Sequence, residues 1–345
     1  MTSTLTHSES LATGRRRRII GLGVAAILLL VTVVLSLSLG ARDVAFPDVW
    51  NALLAPDGGN NDHLVVRELR VPRTVVGLIV GMALALAGTV MQGITRNPLA
   101  DPGLLGVNAG ASVFVVLAIS LLGVTSPTGY IWFAFAGAAA AAGVVYGIGA
   151  IGREGATPVK LVLAGTALTA GLTSIITLVI ITDAETLNSY RFWAVGSLAS
   201  RSLDPVGVLW PFIAAGVVLA FTVGRMLNLL SLGDDLARGL GQNLTVTRIL
   251  TALAVVLLCG TATALAGPLV FVGLVVPHIV RPITGPDYRW VLAYSAIVGP
   301  ALVLAADVVG RLVVRPAELE SGIVIAVVGA PLMIALVRRV KLAGL

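Results

Sequence analysis

The chain has 345 residues, 57% of them hydrophobic and 12% charged, with a formal net charge of +6. An ordinary soluble protein carries about 25% charged residues, so at a mean hydropathy of +0.99 there is too little polar surface to cover a water-soluble globule. A soluble multidomain enzyme is therefore excluded, and an integral membrane protein is predicted. The one cysteine, Cys259, excludes an intrachain disulfide and any cysteine-based metal centre. Only two lysines occur, Lys160 and Lys341, and each is followed by Leu. A phosphate-binding P-loop needs Gly-Lys-Ser/Thr, so ATP-driven work would have to be powered by another polypeptide. The basic residues are scattered between apolar blocks, a pattern that suits membrane orientation better than nucleic-acid binding.

In chain order, residues 1–18 are a basic tail, Ser/Thr-rich and expected to be disordered over 1–14, then Arg15-Arg16-Arg17-Arg18. Residues 19–345 read as a single transmembrane domain. Ten apolar runs of roughly membrane-spanning length follow, at 19–41, 74–94, 103–123, 130–151, 158–182, 205–226, 247–266, 268–282, 288–310 and 319–339. They are too long and too uniformly apolar for barrel strands, so the expected class is all-α and polytopic. The eighth run is short enough to be a broken helix. The first exceeds the apolar core of about 7–15 residues in a cleaved signal peptide and is read as a retained helix. With both ends in the cytoplasm, 15 of the 23 basic residues fall inside, against six of the 17 acids. The positive-inside rule supports that orientation.

The first outer segment, 42–73, ends in Arg67-Glu68-Leu69-Arg70-Val71-Pro72-Arg73. These arginines either present a basic patch to the outside or snorkel at the interface. On the inside, Thr95-Arg96-Asn97-Pro98-Leu99-Ala100-Asp101-Pro102-Gly103 must turn sharply because of its two prolines. The alternative to a plain turn is a pore constriction with Asn97 and Leu99 turned inward.

The next inner segment runs from Ser231 to Gly241. Ser231 is expected to cap a short helix with Asp234 favouring its positive end. Leu232, Leu236 and Leu240 share one face with Ala237 beside it, and Gly239 and Gly241 end the helix. Such a helix suits a groove on a soluble partner or the lipid interface. In the third inner segment, His278 follows Pro277 and reads as a structural, hydrogen-bonded residue. Asp307 and Arg311, four residues apart in the ninth run, are expected to pair locally. An Ala-Leu-Ala-Gly string at 85–88 and again at 264–267 is a pattern that an inverted repeat would leave.

Together these motifs resemble the FecCD-type permeases of bacterial ABC importers. The likeness is carried by Arg70-Val71-Pro72-Arg73, by Arg96-Asn97-Pro98-Leu99-Ala100 through Leu105-Gly106 and Gly110-Ala111, and by Gly267-Pro268 and Phe271 through Arg281. Ala306-Asp307, Arg311, Glu318 and Gly329-Ala330-Pro331 complete it over about residues 40–339. Residues 191–198 and 101–112 look most like ferric-enterobactin-type permease halves.

The resemblance implies a ten-helix type II ABC importer permease in the cytoplasmic membrane of a bacterium. It also implies a second, non-identical permease subunit, two ATPase subunits inside and an extracytoplasmic siderophore-binding protein outside. By position, 231–241 is similar to the coupling helix that enters the ATPase cleft, with Gly233, Asp234, Leu236, Ala237, Leu240 and Gly241. Arg67, Arg70, Arg73 and Arg311 match basic positions that meet acids on the binding protein, and Asn97 and Leu99 match the cytoplasmic gate.

No catalytic residue, metal ligand or cofactor is implied, and the expected cargo is a ferric siderophore. No residue reads the cargo's chemistry, so cobalamin or haem stands as the alternative. An ion-coupled secondary carrier would need acids along a pathway, and only Asp307 offers itself. After Glu318-Leu319 the family often has Pro, whereas this chain has Glu320-Ser321, an extra acid near Arg311 and Arg315.

Overall fold

The computed structural model describes residues 3–124, 126–151, 157–199 and 202–343. Helix α1 (Ser3–Ser38) is followed by the short outer helices α2 (Phe46–Leu54) and α3 (Asn61–Leu64). A π-helical turn, Val65–Arg70, carries α3 into α4 (Val71–Thr95). A 3₁₀ turn at Pro102–Leu105 then leads to α5 (Val107–Leu122), α6 (Pro127–Gly149), α7 (Pro158–Thr182), α8 (Ala184–Ala194) and α9 (Asp204–Leu230). The chain closes with α10 (Asp234–Gly239), α11 (Leu244–Ala266), α12 (Val272–Thr284), α13 (Tyr288–Val313) and α14 (Ser321–Ala343). Seven helices are long and apolar enough to span a membrane, and three shorter apolar ones (α5, α12 and the start of α14) bring the set to ten among the described residues.

Local chemistry sets the helix ends. Ser126, Asp183, Asn243 and Asp287 each accept a backbone N–H at the start of α6, α8, α11 and α13, satisfying donors that a helix N-terminus leaves orphaned. Pro127 and Pro158 sit in the first turn of their helices, where a missing N–H costs nothing.

Along the spans and the first outer segment, the structure departs from the sequence expectations in four places. The tail expected to be disordered is helical from Ser3, because no Gly or Pro interrupts residues 3–13 and the adjoining span supplies the nucleus. The first outer segment is a small folded cap: Val44, Val49, Ala52 and Val66 form its core against Leu37, Val65 and Val71. The third span starts at Val107 rather than 103, since Asp101 caps a separate 3₁₀ turn that Gly106 closes at φ +71°. The eighth begins at Val272, and residues 267–271 are non-helical.

That irregular backbone is tied down at both ends, by Gly267 N–H to Thr263 O (2.8 Å) and by Val275 N–H to Phe271 O (2.8 Å), and Ser197 N–H bonds the Ala266 carbonyl beside it (2.8 Å). In a membrane every such group needs a partner within the protein. Pro277 inside α12 cannot donate to the Gly273 carbonyl. The Gln92 side chain of α4 reaches the Gly273 and Leu274 carbonyls instead, at 3.4 Å each. His278 Nδ1 lies 2.8 Å from the Leu274 carbonyl, in the structural role expected of it.

The core is built around α4, whose apolar stretch is 78% buried, and α11, 67% buried. Small residues let backbones touch there. A Cβ at Gly88 would lie 2.0 Å from the Gly273 carbonyl oxygen, and one at Gly81 would lie 2.6 Å from the backbone of Gly299 and Pro300. Thr89 and Ser295 hydroxyls add a 2.9 Å bond between α4 and α13. By contrast, only 11% of the apolar stretches of α1 and α7 is buried.

Candidate functional site

At one end of the bundle the C-terminal ends of α4 and α9 meet α10 and the start of α11. Ser231 does not cap α10 as expected: its backbone is still helical, and its hydroxyl donates to the Asn228 carbonyl at 2.7 Å. Gly233 is the residue that precedes the helix, at φ +106° and ψ 155°, a conformation that a Cβ disfavours. The helix is accordingly shorter than 231–241, although Gly241, at φ +83°, closes the turn after it.

Ala237 is fully buried, while Leu232, Leu236 and Leu240 are 55%, 61% and 61% exposed. Gln242 holds the returning chain, donating from Nε2 to the Met226 carbonyl (3.0 Å) and the Thr247 hydroxyl (2.9 Å). Asp234 faces inward and joins two other elements. One carboxylate oxygen lies 3.0 Å from the Arg96 guanidinium at the end of α4, and the other 2.9 Å from Arg248 in α11.

Arg96 opens the turn that holds Asn97 and Leu99, and stands at φ +49°. Asn97 is exposed and Leu99 half-buried. The Asn97 side-chain oxygen accepts the Leu99 N–H at 2.9 Å, which makes this an Asx turn. The sequence-predicted coupling and gate segments are therefore linked in space, through Arg96 and Asp234. Arg248 is the third member, and sequence reasoning missed it because its separation of 14 residues from Asp234 crosses a break between two helices, where no helical spacing connects them.

At the opposite end, three of the four outer arginines are turned into the protein. Arg70 donates to the Leu37 carbonyl (2.8 Å), the Ser38 carbonyl (2.6 Å) and the Arg42 carbonyl, and so closes the C-terminus of α1. Arg73 grips Asp307 with two nitrogens at 2.8–3.1 Å and Glu318 at 2.6 Å. Arg311 pairs with Asp307 at 2.9 Å, as its spacing predicted, and bonds the Ser36 and Leu39 carbonyls. Asp307 is completely buried, and Glu318, a third of whose side chain is exposed, closes the network toward the surface.

Arg67 alone of the four is exposed. Arg42, Arg70, Arg73, Arg311 and Glu318 line a cavity of about 330 Å³ on this face. Glu320 does not capture the nearby arginines: Arg311 takes Asp307, and Arg315 takes Asp43 at 3.0 Å.

Comparison with known proteins places the whole chain in a family. Residues 28–339 match the model of the FecCD transport family. The chain is 43% identical to the ferric enterobactin transport system permease protein FepD of Escherichia coli (strain K12), covering 91% of this chain and 93% of that one. It is 42% identical to the Fe(3+)-citrate import system permease protein YfmD of Bacillus subtilis (strain 168), over 92% and 93% of the two chains. A solved structure described as an inward-facing conformation of a metal-chelate-type ABC transporter superposes with a TM-score of 0.79 at 28% identity, covering 92% of this chain and 98% of that one. With the family model spanning nearly the whole chain and the fold shared with an ABC transporter, this protein belongs to the FecCD transport family and is a membrane permease.

Proposed function

We propose that this chain is the membrane-spanning half of an ATP-driven importer of ferric siderophores, with both termini in the cytoplasm. A second, non-identical permease completes the pore, two ATPase subunits engage it inside, and a siderophore-binding protein docks outside. The observation that carries the reading is α10. Three leucines on a short polar loop stand exposed, while the acid beside them is bonded to the ends of two core helices. The leucines supply an apolar plug for a groove on an ATPase, and Asp234 passes its movement to the Asn97–Leu99 turn. On the outer face Arg67 offers the exposed charge for docking, while Arg70, Arg73 and Arg311 hold the surface behind it in shape.

The test is uptake of labelled iron, supplied as a panel of ferric siderophores, by cells lacking this gene. Loss of one ferric-siderophore signal, restored by the wild-type gene, supports the reading. Intact iron uptake with loss of haem or cobalamin uptake overturns the cargo. Leu236→Asp should leave the protein in the membrane but abolish uptake and release the ATPase; normal transport by the mutant would remove the coupling role. A C-terminal fusion to a reporter active only in the cytoplasm should be active if the orientation is right.

A further inference from the structure

Where α1 passes the start of α13, Gly14, Arg15, Arg18, Asp287, Arg289 and Trp290 line a cavity of about 730 Å³ that neither the coupling nor the docking site uses. Its walls are held in place. The Tyr294 hydroxyl donates to the Arg18 carbonyl at 2.5 Å, pinning α1 to α13, and the Arg18 guanidinium lies 5.9 Å from the centre of the Trp290 ring. Asp287, the one acid in the wall, is already engaged by Arg289 (2.9 Å) and by the Asn228 amide (2.7 Å). The cavity is thus left with the positive charge of Arg15 and Arg18 in excess, and Arg16 and Arg17 stand exposed beside it.

The position along α1 matters as much as the charge. One residue beyond Arg18 the apolar span begins, and Ile19, Leu22, Ala26 and Leu30 continue the helix face of Arg15 as an apolar stripe leading away from the cavity, with Ile19 and Leu30 53% and 63% exposed. Their spacing of three, four and four residues, starting four residues after Arg15, keeps them on one helix face. A polar, cationic cavity with an aromatic wall at the head of an apolar stripe has the layout of one membrane leaflet: headgroup above, acyl chain below.

We propose that this cavity binds the phosphate of an anionic phospholipid, phosphatidylglycerol or cardiolipin, from the cytoplasmic leaflet, with an acyl chain lying along the α1 stripe. Basic pockets between membrane helices on the cytoplasmic side are suited to such headgroups. Naming the leaflet rests on the orientation proposed above; the binding itself does not.

The experiment is native mass spectrometry of the purified full-length chain in detergent. Equimolar phosphatidylglycerol and phosphatidylcholine of identical acyl chains are offered together. Wild type should retain phosphatidylglycerol with roughly a twenty-five-fold preference, about fivefold for each of Arg15 and Arg18. R15A/R18A should fall close to parity, and R15K/R18K should keep most of the preference. Equal retention of the two lipids by wild type would overturn the proposal. So would displacement of phosphatidylglycerol by free glycerol phosphate at similar concentration, which would mark a soluble-anion site instead. An R15A/R18A chain that elutes like wild type yet keeps the full preference would overturn the proposal as well, and the inserted R15K/R18K chain serves as its folding control. An inverted orientation would show in the reporter fusion and leave the lipid preference unchanged.

Discussion

Among the described residues, Asp307 is the only carboxylate that both Arg73 and Arg311 reach at 2.8–2.9 Å, and it is buried completely. Removing one partner from a buried ionic network leaves the others uncompensated, at a cost of about 3–5 kcal/mol. Asp307→Asn should therefore lower the thermal midpoint in detergent markedly, while Glu318→Gln, at a third-exposed position, should lower it much less. Differential scanning of the purified variants reads both.

At the other end, Asp287 starts α13 and accepts from the Arg289 backbone, the Arg289 guanidinium and the Asn228 amide. The Arg289 side-chain bonds, with Asn228, hold its carboxyl at about 2, below the usual 3.8. A depressed carboxylate stabilises the fold above its unfolded pKa, and that contribution is lost as the pH falls through the folded value. The stability difference between wild type and Asp287→Asn should thus be complete near neutrality and vanish between about pH 4 and about pH 2. Denaturant titrations across that range check the sign. The i, i+4 pairing of Asp307 and Arg311 was legible in the sequence. The grip of Arg73 on Asp307 was not, since 234 residues separate them and no local period connects α4 to α13.

Among the elements, α10 shows how a short segment acquires a role from its neighbours. Six residues are too few to be a stable helix alone, and α10 holds its place through buried Ala237 and the paired Asp234. The leucine face and the closing glycine were readable from spacing. The capping by Ser231 was misread, because Ser231 still belongs to the last turn of α9 and Gly233 makes the break.

Coupling between distant sites typically carries about 1–3 kcal/mol. Asp234→Asn should keep ATPase binding, which rests on the leucines, yet lower uptake roughly tenfold. Leu236→Asp should instead lose both. Measuring association and uptake on the same preparations separates the two effects. The shortened helices α5 and α12 follow the same logic of local breakers, Gly106 and the 267–271 segment, which hydropathy averages across but backbone geometry does not.

For the whole molecule, composition alone was enough to fix the class, since so apolar a chain leaves a polypeptide no choice but the bilayer. The number of apolar helices was legible for the same reason, because each must span a similar thickness. The outer cap and α8 were not, as helices of 9, 4 and 11 residues are too short to stand out from the spans beside them. Two helices, α1 and α7, bury only 11% of their apolar stretches within the chain, which leaves much of their surface to the lipid. Without a phosphate-binding loop, the purified chain should hydrolyse ATP no faster than buffer. Steady hydrolysis should appear only when ATPase subunits are added, and a phosphate-release assay tests this directly.

Cys259 lies 1% exposed within α11, packed into the core. Its sulfur is shielded on every side by the fold, so polar thiol reagents have no route to it in the intact protein. The wild-type chain is consequently a ready-made blank for site-directed chemistry. A cysteine placed at Arg67, Leu236 or Asn97 would be the sole reactive thiol in the chain, and a fluorophore or spin label attached there would report the movement of that one position during a transport cycle.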